Sequence, residues 1–262
     1  MKVDRVIIPL NNNPVFTGFW NPFSRVWKEK HNIIPTLFFV GTEEELESNN
    51  FSRKHGEIFR LDPVKEVVVD PNLDWSTTWA LFYGASQFDD EVCVTMGIDQ
   101  ITLTHKLFDF LKKSDKITND KYVVGMSDGY KQYGMSHYPS AWHIAKGSLF
   151  KEVLKIDSDW DKELKKVFSF REKYPTLPDN FWALDEVYSS DMIMEYIKKN
   201  GDDNIALLNI TKEWYSRRLC RNGLLIYDKK MLQTGEYSEL HSPRPFEDNS
   251  DYLLSLIDDL LQ

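Results

Sequence analysis

Short β-rich runs and helix-like stretches take turns along the N-terminal half of this chain, and that alternation leaves few architectures open. Residues 3–9 read as a first buried strand that ends at a Pro/Asn turn. Residues 19–29 carry Trp20, Phe23 and Trp27 on one helical face. A second strand is expected over 33–40, closed by Gly41, with further short strands at 58–61 and 66–69. Residues 75–86 read as a helix capped by Ser76 or Asp74, and residues 91–96 as a buried strand. The pattern predicts an α/β fold with a mostly parallel central sheet flanked by helices.

The second half is less regular. A strand is expected at 122–125 and helices over 150–154, 161–170 and 189–199, the last capped by Ser189 or Ser190. Residues 176–180 read as a loop. Residues 251–261 form an amphipathic helix with Leu253, Leu254, Ile257, Leu260 and Leu261 on one side. It stops abruptly at Gln262, as expected of a domain cut from a longer chain.

Composition removes several function classes. Of 262 residues, 41 are acidic and 32 are Lys or Arg, for a net charge of −9. Broad contact with a nucleic-acid backbone is therefore not expected, while a local basic pocket for one or two phosphates stays open. Hydrophobic residues make up 42% and aromatics 14%, which excludes a disordered chain. Cys93 and Cys220 have no CxxC spacing, which argues against a disulfide framework or structural zinc site and fits a reducing compartment. The N-terminal apolar run is broken too early by Pro9 for a secretory signal. No apolar run approaches the roughly 18 residues of a membrane-spanning helix. There is no P-loop and no G-x-G-x-x-G.

The segment 92–100 carries the most chemistry. It is an apolar strand followed by Gly97, Ile98 and Asp99, which places a carboxylate at the sheet's C-terminal edge, where open α/β sheets bind ligands. Such an Asp can merely cap a turn. It can also supply an oxygen ligand to a hard divalent cation on a diphosphate. A strand, the helix at 75–86 and a strand ending in this motif together resemble the nucleotide-sugar glycosyltransferases of the GT-A fold. Their Asp-x-Asp holds manganese or magnesium on the donor diphosphate. Gly97 stands where their first Asp would be, and Asp99 matches the last. The surroundings are also similar to small glycosyltransferases of large algal viruses, of chlorovirus type, and of phages.

The resemblance implies a single GT-A-like, Rossmann-related domain over 1–262. Its nucleotide-binding half would cover about 1–105 and its acceptor and catalytic half about 106–262. Mn2+ or Mg2+ would be held by Asp99 and His241. Arg244 would neutralise the leaving diphosphate, because its planar fork binds two oxygens at once, and Pro243 and Pro245 would stiffen its loop. His241 can equally be a surface histidine. Arg217, Arg218 and Arg221 form a basic cluster that can face phosphate or solvent. Pro9, Asn11, Asn12, Trp79, Gly97 and Ile98 would join Arg244 around the donor, although Trp79 and Tyr83, one helical turn apart, also suit a core. His137, Trp142, His143, Lys146 and Asp128 would form the sugar and acceptor pocket. The plainer alternatives are a core Trp142, a His143 on the opposite strand face, and a simple turn at Asp128-Gly129.

Asp185 and Glu186 lie behind the aromatic pair Phe181-Trp182 and ahead of a helix. An inverting transfer needs a carboxylate to take the acceptor proton, and the resemblance assigns that role to this pair. A helix N-terminus favours the ionised form, and plain helix capping is the alternative. The implied activity moves a hexosyl or pentosyl group from a nucleotide diphosphate sugar, UDP-sugar first, to a hydroxyl of a glycan or glycoconjugate. The expected compartment is the cytoplasm, that of the host for a viral protein. A catalytically inactive carbohydrate-binding or scaffold protein of the same fold is the competing reading, with Gly97 in its favour. A sugar-phosphate nucleotidyltransferase would need a Gly-rich, Arg-containing loop after the first strand, and residues 9–16 have neither. A glycoside hydrolase needs two carboxylates across a cleft, which adjacent Asp185 and Glu186 do not provide.

Overall fold

The computed structural model describes residues 1–67, 75–174, 183–209, 215, 217–220 and 227–262. Strand β1 (Arg5–Asn11) leads through α1 (Pro14–Thr17) and α2 (Trp20–Glu29) to β2 (Ile34–Val40), α3 (Glu43–Ser48) and β3 (Glu57–Leu61). Next come α4 (Trp75–Ala85), β4 (Val92–Thr95), β5 (Gln100–Thr102) and α5 (Lys106–Lys113). Then β6 (Tyr122–Val124), β7 (His143–Lys146), α6 (Gly147–Leu154), α7 (Trp160–Ser169), α8 (Leu184–Asn200) and β8 (Ile205–Leu207) follow. Finally there are β9 (Arg218–Cys220), α9 (Lys229–Gln233), β10 (Glu239–His241) and α10 (Ser250–Leu261).

Seven strands form one sheet in the order β3-β2-β1-β4-β7-β6-β8. β3, β2, β1 and β4 are parallel neighbours, as are β6 and β8. β7 runs against both β4 and β6. β6 and β7 are consecutive and lack a crossover helix between them, so antiparallel pairing is the available solution. Side chains alternate between two covered faces. Val6, Ile8, Leu10, Leu37 and Phe39 pack with Trp20, Phe23 and Trp27 of α2 and Leu253 and Ile257 of α10. Ile7, Phe38 and Val40 face the other way, onto Trp79 and Phe82 of α4, Phe150 of α6 and Leu184 and Ile193 of α8. α4 is apolar nearly all round because it is buried nearly all round.

Several expectations change. Residues Lys65–Val67 form a 3-10 turn rather than the start of a strand, and residues 68 and 69 lie outside the described set. α8 begins at Leu184, so Ser189 and Ser190 are interior and not caps. Their hydroxyls donate back to Glu186 O at 3.1 and 2.7 Å, a bond that lets serine sit inside a helix. On α10, Leu254 is 45% exposed, and Leu256 takes the buried position expected of it. Asp74, the loop at 176–180, Phe181, Trp182 and Arg221 lie outside the described residues. A second sheet, β5-β10-β9, has no counterpart in the sequence reading.

Candidate active site

The strand order reverses direction between β1 and β4, and a crevice must open where their carboxyl ends diverge. A cleft of about 370 Å³ lies there. Pro9, Leu10 and Asn11 of β1 form one wall, with Asn13 and Phe16 just beyond. The turn after β4, from Gly97 to Gln100, forms the floor. Trp75, Thr77 and Thr78 of α4, Tyr130, Ser140 and Glu186 close the opposite side.

His241 and Arg244 reach the cleft through the small sheet. β10 pairs antiparallel with β5 so that His241 lies opposite Gln100, and Ser242 N–H donates to Asp99 O at 2.8 Å. Arg244 then donates to Asp99 Oδ2 through Nε at 2.6 Å, with Nη2 at 2.5 Å from the same oxygen. His241 Nε2 is 3.2 Å from that oxygen. The guanidinium lies 4.5 Å over the Phe16 ring. Burial pushes the Asp99 carboxyl up, but His241 and Arg244 together pull harder, and its pKa falls below the ordinary value. Glu239, fully buried on β10, answers to Arg218 at 3.2 Å, and burial raises its pKa.

The second charged corner is the first turn of α8. Asp185 is 1% exposed, and neither of its carboxyl oxygens has a partner in hydrogen-bond geometry. The Thr78 and Ser140 hydroxyls approach it without a well-shaped bond and offset only part of the cost of burial. Glu186 Oε1 accepts from the Tyr130 hydroxyl at 2.9 Å and from Ser140 N–H at 3.2 Å. Its Oε2 stands 3.6 Å from His137 Nε2. Burial raises the pKa of both acids, and the Asp185 charge raises that of Glu186 further. Here burial outweighs the helix terminus, which favours the anion.

The structure gathers Pro9, Asn11, Gly97, Ile98, Asp99, Glu186, His241 and Arg244 around this cleft. It does not bring the other expected residues to the lining. Asn12 accepts from Asn49 Nδ2 at 2.8 Å. Trp79 is a core residue packed edge-on to Tyr188 at 5.1 Å. Trp142 is also fully buried. His143 is buried between Tyr122 Oη at 2.9 Å and Pro139 O at 2.8 Å, and its pKa falls to about 4 through loss of solvent. Lys146 pairs with Asp120 at 3.2 Å and lies opposite Val92, at the edge of the sheet away from the cleft. That follows from the reversed direction of β7. Asp128 sits in the turn before Tyr130, and His137 packs edge-on against Tyr130 at 5.1 Å with Nε2 3.6 Å from Glu186 Oε2. Phe16, Thr77, Thr78, Tyr130 and Ser140 line the cleft and were not singled out by the sequence. Tyr130 and Ser140 lie two and three positions beyond the Asp128 and His137 candidates.

A divalent cation does not fit the Asp99 corner as it stands. The inner carboxylate of Asp-x-Asp is absent, and a Cβ at Gly97 would meet Gln100 Oε1 at 3.1 Å and Asp99 Oδ1 at 3.2 Å. Asp99 Oδ2 already carries a fixed guanidinium, a positive group where the ion would need to coordinate. Among the described residues no group of three His, Cys, Asp or Glu side chains could hold an ion. Hard cations keep waters but still need accessible oxygen ligands.

No family profile and no curated protein matches the sequence. A solved structure of an active-site mutant of LgtC is similar, with a TM-score of 0.52 at 14% identity, over 98% of this chain and 95% of that one. The fold is GT-A. Two weaker likenesses are the galactosyltransferase LgtC in complex with donor and acceptor sugar analogues (TM-score 0.48, 12% identity, 99% and 95% covered) and mouse xyloside xylosyltransferase 1 in its apo form (0.44, 13%, 92% and 98%). The GT-A assignment rests on the first. It makes the β1/β4 crevice the cleft of a GT-A fold, with Gly97-Ile98-Asp99 at its floor. Among the described residues no helix is long and apolar enough to cross a membrane.

Proposed function

We propose that the protein is a glycosyltransferase that moves a sugar from a nucleotide diphosphate sugar to a hydroxyl of a glycan or glycoconjugate. One arrangement carries the reading: a cleft at the β1/β4 switch point with a preset guanidinium, Arg244, on one wall and a carboxyl, Glu186, on the other. The first suits the charge of a departing diphosphate. The second suits an acceptor hydroxyl. Asn11 and Asn13 beside β1 offer polar edges to the nucleotide.

Glu186, not the enclosed Asp185, is the acid that faces the cleft. In the proposed step the acceptor oxygen attacks the anomeric carbon and its proton passes to Glu186. The bond to the diphosphate oxygen breaks, and the nucleoside diphosphate leaves. This is a single displacement, which inverts the anomeric centre. Burial raises the pKa of Glu186 toward neutrality, which strengthens it as a base while leaving an ionised fraction to act. UDP-sugars are the first donors to test.

The experiment is release of nucleoside diphosphate from a panel of nucleotide sugars in the presence of mixed saccharide acceptors. The product linkage is read by NMR. Turnover abolished in Glu186→Gln supports the assignment. Donor binding without turnover for any acceptor would favour the non-catalytic reading. A product that retains the donor's anomeric configuration would remove Glu186 as the base of a single displacement.

A further inference from the structure

We infer that Arg244 takes the place of the divalent cation in this cleft, so that the donor diphosphate is bound without metal. The inference rests on the donor reading above. Asp99 Oδ2 receives Nε and Nη2 of Arg244 at 2.6 and 2.5 Å and lies 3.2 Å from His241 Nε2, inside a pocket that leaves the Asp99 side chain 5% exposed. A carboxylate so engaged is an anchor for a guanidinium rather than a vacant ligand.

The guanidinium is held on further sides as well. Phe16 lies under it, and Pro243 and Pro245 flank it in the chain. Two of its three nitrogens are spent on Asp99. Nη1 makes no bond among the described residues, and the side chain is 33% exposed and lines the cleft. Its donors are thus fixed in direction before any anion arrives, which lowers the ordering cost of binding. Among the cleft's described lining residues Arg244 is the one Lys or Arg. A donor diphosphate meeting charge on this surface meets it there.

The position that would give a second carboxylate is a glycine, and the space a side chain would enter is occupied by Gln100 Oε1, which accepts from Gly97 N–H at 3.3 Å. The floor therefore presents a backbone turn, an amide and one acid, Asp99, whose Oδ2 is already engaged by Arg244. Asp99 and His241 act as positioning residues that aim Arg244.

Calorimetric titration of UDP, GDP, ADP and CDP into the intact chain tests this, in excess EDTA and again with saturating manganese chloride. The expected result is one nucleotide whose affinity agrees within about twofold between the two buffers. It should weaken roughly ten- to hundredfold in Arg244→Gln, the loss expected for charge-assisted hydrogen bonds. Arg244→Lys keeps the charge without the fork and should fall between the two, with circular dichroism confirming that both variants fold. Binding that requires manganese overturns the inference and leaves the donor site standing. Metal-independent binding unchanged in Arg244→Gln overturns it also. Absence of binding by every nucleotide in both buffers overturns the donor reading itself, and the inference with it.

Discussion

Tyr130 donates its hydroxyl to Glu186 Oε1 at 2.9 Å, joining residues 56 positions apart at the wall of the cleft. The bond favours the carboxylate over the carboxylic acid and so works against burial, which raises the Glu186 pKa. In Tyr130→Phe that restraint is gone. The ascending limb of the pH–rate profile should move to higher pH by about one unit, the equivalent of one hydrogen bond to a charged group. A profile that keeps its position would show that Glu186 is not the group that titrates.

The same acid pair should leave a mark on stability. The folded pKa values of Asp185 and Glu186 lie above their ordinary values of 3.8 and 4.5, so between the two sets the folded state holds more protons than the unfolded one. The contribution is complete below the ordinary carboxylate range and declines as pH rises through the folded values. Asp185→Asn replaces an acid that must ionise with an amide that cannot. Thermal melts across a pH series should show the decline between about pH 4 and 7 flattened in that variant.

Asp99 has the opposite sign. Its folded pKa is depressed, so its contribution is present above the ordinary carboxylate value and is lost as pH falls through the folded one. Asp99→Ala should cost about 2–3 kcal/mol near neutrality, below the full value of a buried pair because Arg244 is 33% exposed and partly screened. That corresponds to a melting temperature lower by roughly 4–12 °C. The acid limb of the stability curve should also be shallower than in the parent protein.

Gly147 opens α6 where backbone meets backbone. A Cβ there would lie 2.4 Å from Phe88 O and 2.6 Å from Ala85 O, atoms with no side-chain freedom to retreat. Gly147→Ala should therefore cost about 2 kcal/mol or more, read as a lower denaturant midpoint with an unchanged m-value. A variant as stable as the parent would mean that β7 and α6 shift with ease.

The sheet was legible because its strands are covered on both faces. Continuous apolar runs such as 33–40 and 91–96 stand out in sequence, and the Trp20, Phe23 and Trp27 stripe names the buried side of α2. Asp99 was legible for the same reason, since it follows such a run. The three-residue strands β5, β9 and β10 are too short for any periodicity, and only their mutual pairing defines them. The direction of β7 was equally hidden. His143 and Lys146 look alike as polar candidates, yet that direction buries one and carries the other to the far edge. Arg244 and Asp99 were each visible, but their contact spans 145 positions and depends on the β5–β10 pairing.

That pairing has a consequence for the order in which the protein becomes competent during its own synthesis. A nascent chain that has emerged through β8 owns every strand of the seven-stranded sheet and both acids of α8. Its Asp99 then has neither His241 nor Arg244 beside it. A ribosome-bound intermediate of this kind holds the strands of the large sheet but not the Asp99–Arg244 contact. The charged corner of Asp99, His241 and Arg244 is assembled only when β10 slots beside β5, which separates completion of the large sheet from completion of the cleft wall.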